Sequence, residues 1–456
     1  PSTWRLRSVC STAELRWRGK NYTSNNFNYA RLFLEKKPMN IAMISYHTCP
    51  LAILGGKNTG GMNVYVRELT RFLGREGVHV DVFTRSENEH IPQVSHDLGY
   101  FNRVVHIPAG PEVYLPKETL AEYTDLFAQG IMDFSVKKGI KYDLVHAHYW
   151  LSGLAGQILK SAWHVPMLQM FHTLGLMKQK IGRTSEEREG AYRYDGERLV
   201  MQNADRIIAA TEAERSQLED LYGLNPHKVT IIPPGVDIHH FYPIPQDEAK
   251  EAIGISAKDR MALFVGRIEP LKGVDTLIEA MAIVKRTCKT FRCPHYLVII
   301  GGDPEGDEEF VSSEMQRLQL QCTELGLDEI VVFLGKRDQN TLPYYYSAAE
   351  VVVMPSHYES FGMVALEAMA CGTPVIASRV GGLAYLIKDG ETGYFVPAQD
   401  PQALSEKLRL IFINQGLRTR LGRQAVDYAQ NFSWEWVTKQ IIHVYEQMIN
   451  GVSHPK

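Results

Sequence analysis

The chain has 456 residues, 45% apolar and 22% charged, the balance of an ordinary globular protein with room for two cores. Its net charge is −3, but residues 1–38 carry eight Lys/Arg against two Glu, so residues 39–456 stand near −9; a mildly acidic body argues against nucleic acid as a main partner. No apolar run reaches the ~18 residues of an integral membrane segment, and the six cysteines (Cys10, Cys49, Cys288, Cys293, Cys322, Cys371) contain no CxxC pair, which argues against zinc and for reduced thiols in a cytoplasmic protein.

Residues 1–38 show neither an apolar h-region nor clear periodicity, which speaks against a secretory signal. They are expected to be a poorly ordered basic arm or a non-native extension, with Met39 at the start of the ordered protein. From there short β-rich runs follow one another: NIAMISYH, HVDVFTR, RVVHIPA, DLVHAHY, PMLQMFHT, RIIAAT and KVTIIPP. Helical patterns lie between them, as in GMNVYVRELTRFLGREG, where Val64, Leu69 and Phe72 share a face. The stretch PPGVDIHHFYPIPQD (233–247) breaks the rhythm. It restarts with MALFVGR, YLVIIGG, IVVFLGK, EVVVMPS, PVIAS and GYFVPA. The segment SWEWVTKQIIHVYEQMIN then forms an aromatic-rich amphipathic helix. Strands separated by helices imply parallel sheets covered on both faces. The fold class is therefore α/β, with two Rossmann-like parallel-sheet domains over 39–237 and 238–430 facing across a cleft, and a terminal segment over 431–456. Open parallel sheets bind ligands at the carboxyl ends of their strands, so a site is expected in that cleft.

Three loops carry chemistry. GGKNTGGMN (55–63) joins the first strand to a helix, and its free N–H groups can meet an anion. It is neither a Walker loop nor a GxGxxG fingerprint, and VIIGGDPEGD (298–307) has the wrong glycine spacing for a dinucleotide. FVGRIEPLKG (264–273) puts Arg267 and Lys272 at the carboxyl end of a strand, a geometry that neutralises a diphosphate. In HYESFGMVALEAMA, Glu359 lies in the turn above a strand, the following amides open a helix, and Glu367 sits two turns down. That segment can grip both phosphate and sugar hydroxyls. The alternative makes Glu359 a first-turn dipole partner and Glu367 a salt-bridged surface residue.

Taken in order, GGMN, FHT (171–173), PPGVD, GRIEPLKG, ESFGMVALEAMACGTPVIAS and GGLAYLIKDGETG closely resemble the retaining glycosyltransferases of family 4, with the GT-B fold, over about 39–450. GGMNVYV, AGPEVYLPKETL, HAHYWLSG and FHTLGLMKQ are most similar to members that glycosylate phosphorylated acceptors. These are the mycothiol-pathway N-acetylglucosaminyltransferase acting on inositol phosphate, and sucrose-phosphate synthase. The resemblance implies an acceptor-binding first domain, a nucleotide-sugar-binding second domain, and a last helix that crosses back. It implies that Arg267 and Lys272 hold the donor diphosphate near the backbone of Gly60 and Gly61. Glu367 would bind ribose, and Glu359 with Ser360, Phe361, Gly362, Met363 and Val364 would hold the donor sugar. His172 would contact that sugar near its 6-position, and His172, Arg267, Lys272 and Glu359 would form the catalytic set. Asn63, Lys117, Tyr149, Thr173 and Arg193 match acceptor-binding positions. The donor expected is a uridine diphosphate sugar and the acceptor a small polar one, phosphorylated for preference. No metal or other cofactor is expected, since no DxD-like pair occurs and two cations already meet the diphosphate; Asp303, Glu305 and Asp307 are the nearest alternative ligands. An epimerase of the same fold, and transfer to an unphosphorylated or lipid-linked acceptor, stay open as alternatives, and a homodimer is compatible with the sequence.

Overall fold

The computed structural model describes residues 38–52, 60–99, 101–182, 190–287, 295–302 and 313–452. The basic arm up to residue 37, Cys10, Cys288, Cys293 and the carboxylates Asp303, Glu305 and Asp307 lie outside these residues, as do positions 53–59 of the first glycine loop.

The apolar runs pair into two sheets. The first contains β1 (Asn40–Ile44), β2 (His79–Arg85), β3 (Val94–Ser95), β4 (Asn102–Ile107), β5 (Leu144–His148), β6 (Met167–Met170), β7 (Arg206–Ala209) and β8 (Val229–Ile231), in the order β3-β4-β2-β1-β5-β6-β7-β8. The second contains β9 (Arg260–Val265), β10 (His295–Ile300), β11 (Val331–Gly335), β12 (Val351–Met354), β13 (Val375–Ser378) and β14 (Gly393–Val396), in the order β11-β10-β9-β12-β13-β14. All pairings are parallel except β3 with β4. Helices cover both faces of each sheet, so the central strands are buried along their length: Ile41 to Ile44 and Val351 to Val353 are sealed from solvent. The two-residue edge strand β3 is a departure from the purely parallel expectation, and it is too short to leave a periodic signal in the sequence.

In each sheet the strand order reverses beside the first strand, between β1 and β5 and between β9 and β12. At such a switch point the loops leave in opposite directions and open a crevice at the carboxyl ends.

Helix α1 (Gly61–Arg75) follows β1 and buries Val64, Leu69 and Phe72, the face expected from their spacing. The first lobe also carries α2 (Trp150–Trp163), α3 (Ala191–Asn203) and α4 (Glu212–Tyr222). The second carries α5 (Val274–Thr287), α6 (Met363–Ala370) and α7 (Gln415–Ala429). The chain passes between the lobes twice, and the two passes run side by side: Val236 N–H donates to Phe432 O at 2.8 Å, and Trp434 N–H to Val236 O at 3.2 Å. Helix α8 (Trp434–Val452) then packs on α1. Trp434 lies against the rings of Tyr65 (5.3 Å) and Phe72 (6.5 Å). One apolar cluster thus runs through both lobes, from Leu69 and Phe72 through Trp434 and Val437 to Phe361 and Leu366. Among the described residues no helix is long and apolar enough to cross a membrane.

Candidate active site

Both switch points open on one cavity of about 350 Å³, within the range of small-molecule sites. Every wall comes from the carboxyl end of a strand. The first lobe supplies His47, Thr48, Gly60, Gly61 and Asn63 after β1, Tyr149 after β5, His172 and Thr173 after β6, and Glu214 after β7. The second supplies Arg267 and Lys272 after β9, Lys336 and Arg337 after β11, and Glu359, Ser360, Phe361, Gly362, Met363, Val364 and Glu367 after β12. The lobes meet closely here. A Cβ on Gly60 would stand 3.7 Å from Arg267 Nε, and one on Gly61 3.5 Å from Met363 Sδ. Glycine amides of the first lobe therefore face the same space as the guanidinium and helix start of the second.

The two cations are held by carboxylates. Lys272 Nζ lies 2.6 Å from Glu359 Oε2, and Arg267 is 2.6 Å from Glu269 Oε1. Both pairs stay partly exposed to the cavity, so an incoming diphosphate can compete for either cation at modest cost. The turn that carries Glu359 is braced from behind by Gly381 and Gly382. Gly382 N–H donates to Glu359 O at 2.8 Å. A Cβ on Gly382 would fall 2.4 Å from Phe361 Cα, and one on Gly381 2.0 Å from Glu359 O. Gly362, at φ 104°, ends the turn and caps α6, whose N-terminal amides and positive dipole end point at the cavity.

Glu367 is 7% exposed and accepts a hydrogen bond from Tyr346 Oη at 2.7 Å. Burial pushes its carboxyl up to about 7, against the pull of Tyr346 and nearby Arg67. Arg67 also hydrogen-bonds Gln339 of the second lobe. Glu214 is a second buried carboxyl, pushed up to about 7 by burial although it accepts from Ala210 N–H at 2.7 Å. In the sequence it reads as the last residue of a capping box, Thr211-x-x-Glu214, and Thr211 Oγ1 does accept from Glu214 N–H. That capping role hides its place in the cavity wall.

The HAHYW run (146–150) places His146 and His148 on β5, beneath His172. His148 Nδ1 and His172 Nε2 are 3.0 Å apart, and His146 Nδ1 and Tyr445 Oη of α8 are 2.7 Å apart. Burial pushes His146 and His172 down to about 3 and His148 well below its usual value, so the cluster is neutral near pH 7. Two of the flanking residues have positive φ without being glycine: Tyr149 at 76° and His172 at 63°. Each costs of the order of 1–3 kcal/mol, and each aims a side chain at the cavity.

Lys117 Nζ lies over the Tyr149 ring at 5.3 Å. Thr173 and Lys178 stand on the same side, and Lys178 was not singled out in the sequence. Two expected acceptor contacts, Arg193 and Asn63, have polar atoms engaged by other protein groups. Arg193 is fully buried, bound to Glu197 (2.9 Å) and to Thr173 O and Oγ1 (2.9 and 3.0 Å), with Tyr149 at 5.0 Å. It stands behind the wall that Tyr149 and Thr173 form, because Glu197 one turn on in α3 claims its guanidinium. Asn63 lines the cavity, but its carboxamide binds Gly60 N–H, Thr48 Oγ1 and Cys49 O, which shapes the glycine loop.

This two-lobed fold of parallel sheets is shared with solved glycosyltransferases. Sucrose-phosphate synthase from Thermosynechococcus elongatus superposes with a TM-score of 0.82 at 34% identity, over 91% of this chain and 100% of that one. HepE of Anabaena, solved with UDP and glucose, superposes at 0.68 with 21% identity, over 90% and 100%. This is the GT-B architecture. Residues 59–240 match the family described as Glycosyltransferase Family 4, and residues 245–427 the family described as Glycosyl transferases group 1. A D-inositol 3-phosphate glycosyltransferase from Acidothermus cellulolyticus is 38% identical over 413 residues, 90% of this chain and 91% of the relative. The chain belongs to the retaining glycosyltransferases of family 4.

Proposed function

We propose that the enzyme transfers a hexosyl group from a uridine diphosphate sugar to a small phosphorylated acceptor, an inositol phosphate or a hexose phosphate. The carrying observation is the division of charge in one cavity: Arg267 and Lys272 line the second-lobe side, and Lys117 and Lys178 the first-lobe side, beside Tyr149 and Thr173. Two separated cationic groups suit a diphosphate donor and a second anion. The relatives support the same reading, since their names specify inositol 3-phosphate and sucrose phosphate.

In this reading the C1–O bond to the donor phosphate breaks as the acceptor hydroxyl oxygen bonds to C1 from the same face. The hydroxyl proton passes to the leaving phosphate oxygen. Arg267, Lys272 and the amides of Gly61 and α6 stabilise the charge that grows on that phosphate. Glu359 turns from Lys272 to the sugar hydroxyls, Glu367 receives the ribose, and no glycosidase-like carboxylate pair across C1 is required. Fixed cations take the part a metal would play, so activity is expected to survive chelation by EDTA. The free thiols of buried Cys322 and Cys371 fit a reducing compartment such as the cytoplasm.

The test is a matrix of UDP-sugars against inositol phosphates, hexose phosphates and their unphosphorylated parents, read by product mass. The reading requires product with at least one phosphorylated acceptor and at least tenfold less with its parent. Equal transfer to the parent, or donor epimerised without acceptor, overturns it.

A further inference from the structure

His148 and His172 are both neutral near pH 7, so each ring has one N–H and one bare nitrogen. The 3.0 Å contact joins His148 Nδ1 to His172 Nε2, and a hydrogen bond of that length contains one proton. Which ring owns it follows from the other nitrogen of His148. His148 Nε2 is sealed from solvent and has no hydrogen-bond partner among the described residues. The His148 ring lies 4.2 Å, centroid to centroid, from the tilted ring of His146 and 5.6 Å from that of Tyr65. An N–H orphaned there would cost more than an orphaned lone pair. The His148 proton therefore sits on Nδ1, and His172 Nε2 is the acceptor. The remaining His172 proton is on Nδ1, the nitrogen turned away from His148 on a ring that lines the cavity. The backbone of His172, at φ 63°, fixes that ring in place.

We propose that His148 is a positioning residue for His172: by donating Nδ1–H to His172 Nε2 it holds the His172 proton on Nδ1, so that His172 offers an N–H to an oxygen of the donor sugar. The group that meets His172 is then a hydroxyl oxygen acting as acceptor, whose own proton must go to another partner. The tautomer stands on the protein alone; the identity of the oxygen as a sugar hydroxyl rests on the function proposed above. A histidine side chain in water favours the Nε2–H form, so the arrangement inverts the intrinsic preference.

Nitrogen-15 NMR of the ligand-free protein with labelled histidine reads the tautomer without any substrate. Histidine 172 is assigned from the His172→Gln spectrum. The expected result is a protonated Nδ1 and a bare Nε2 at His172. His148→Phe keeps an aromatic ring but cannot donate; it should shift His172 toward the Nε2–H form and lower kcat on the order of tenfold to 10²-fold, with a smaller change in donor KM. His148→Asn places an amide N–H near the Nδ1 position and should restore both the Nδ1–H signal and most of the turnover. A wild-type spectrum with the proton on His172 Nε2 overturns the proposal. So does a folded His148→Phe protein with unchanged tautomer and kcat within twofold of wild type, or His148→Asn no better than Phe. If the function proposed above fails, the wild-type spectrum still decides the tautomer.

Discussion

Lys272 and Glu359 show how one residue pair can serve two states. Without ligand the ammonium and carboxylate satisfy each other at 2.6 Å; in the proposed reaction a bound diphosphate would release each to its own target. Lys272→Ala and Arg267→Ala should lower kcat by roughly 10²–10³-fold, the value of one fixed charge-stabilising donor, measured by coupled release of the nucleotide diphosphate with saturating donor. Glu367 gives a prediction in pH. Its carboxyl is raised to about 7 in the folded protein, so the folded state binds the proton more tightly than the unfolded chain does. That contribution is complete below the ordinary carboxylate range near ~4.3 and is lost as pH rises to about 7. Glu367→Gln keeps the polar contact with Tyr346 and removes the titration. Relative to wild type it should gain on the order of 2–3 kcal/mol at most between pH 5 and pH 8, read from urea midpoints. Nucleotide affinity should rise with pH through about 7 in wild type and rise less in the variant, where Glu214 still titrates in the cavity wall, by calorimetry. Arg267, Lys272 and Glu359, which loop motifs single out in the sequence, all line the cavity. Glu214 is hidden because its Thr211-x-x-Glu214 spacing offers a sufficient structural account, and the pairing of Arg193 with Glu197 is carried by no motif.

At the scale of elements, the turn before α6 depends on a second segment distant in sequence. The pair Gly381-Gly382 presses its backbone onto Glu359, Ser360 and Phe361 so tightly that no side chain fits. Gly382→Ala should displace the turn, raise donor KM at least tenfold, and destabilise the fold by about 1–3 kcal/mol, with the acceptor-side geometry untouched. Steady-state kinetics and a denaturation curve check the two parts separately. The strands were legible because both-face burial forces uninterrupted Val, Ile and Leu runs, as in VVVM (351–354). The edge strand β3 was not, since two residues cannot carry a period. The bracing by Gly381 was not either: sequence displays a glycine pair but not the carbonyl 2.0 Å from where a Cβ would be.

At the scale of the molecule, the walls of the site belong to two lobes joined by two adjacent passes and bridged by Arg67 with Gln339. A nucleotide that contacts both lobes is expected to stabilise the whole fold. At 100 times its Kd, UDP should add about 2.7 kcal/mol, seen as a raised thermal midpoint, and the rise should shrink in Arg267→Ala. Trp434→Ala, which removes the ring packed on Tyr65 and Phe72, should cost about 3–5 kcal/mol by the same measurement.

Helix α8 belongs, by its contacts, to a body begun some 390 residues earlier. During synthesis the sheet of β9 to β14 emerges from the ribosome before Trp434 and Tyr445 do. The half made first is thus the half finished last: the nascent chain must carry Tyr65, Phe72 and His146 uncovered until then. A ribosome stalled after residue 430 should present that apolar face to chaperones, and one stalled on an appended linker long enough to free residues 434–452 should not.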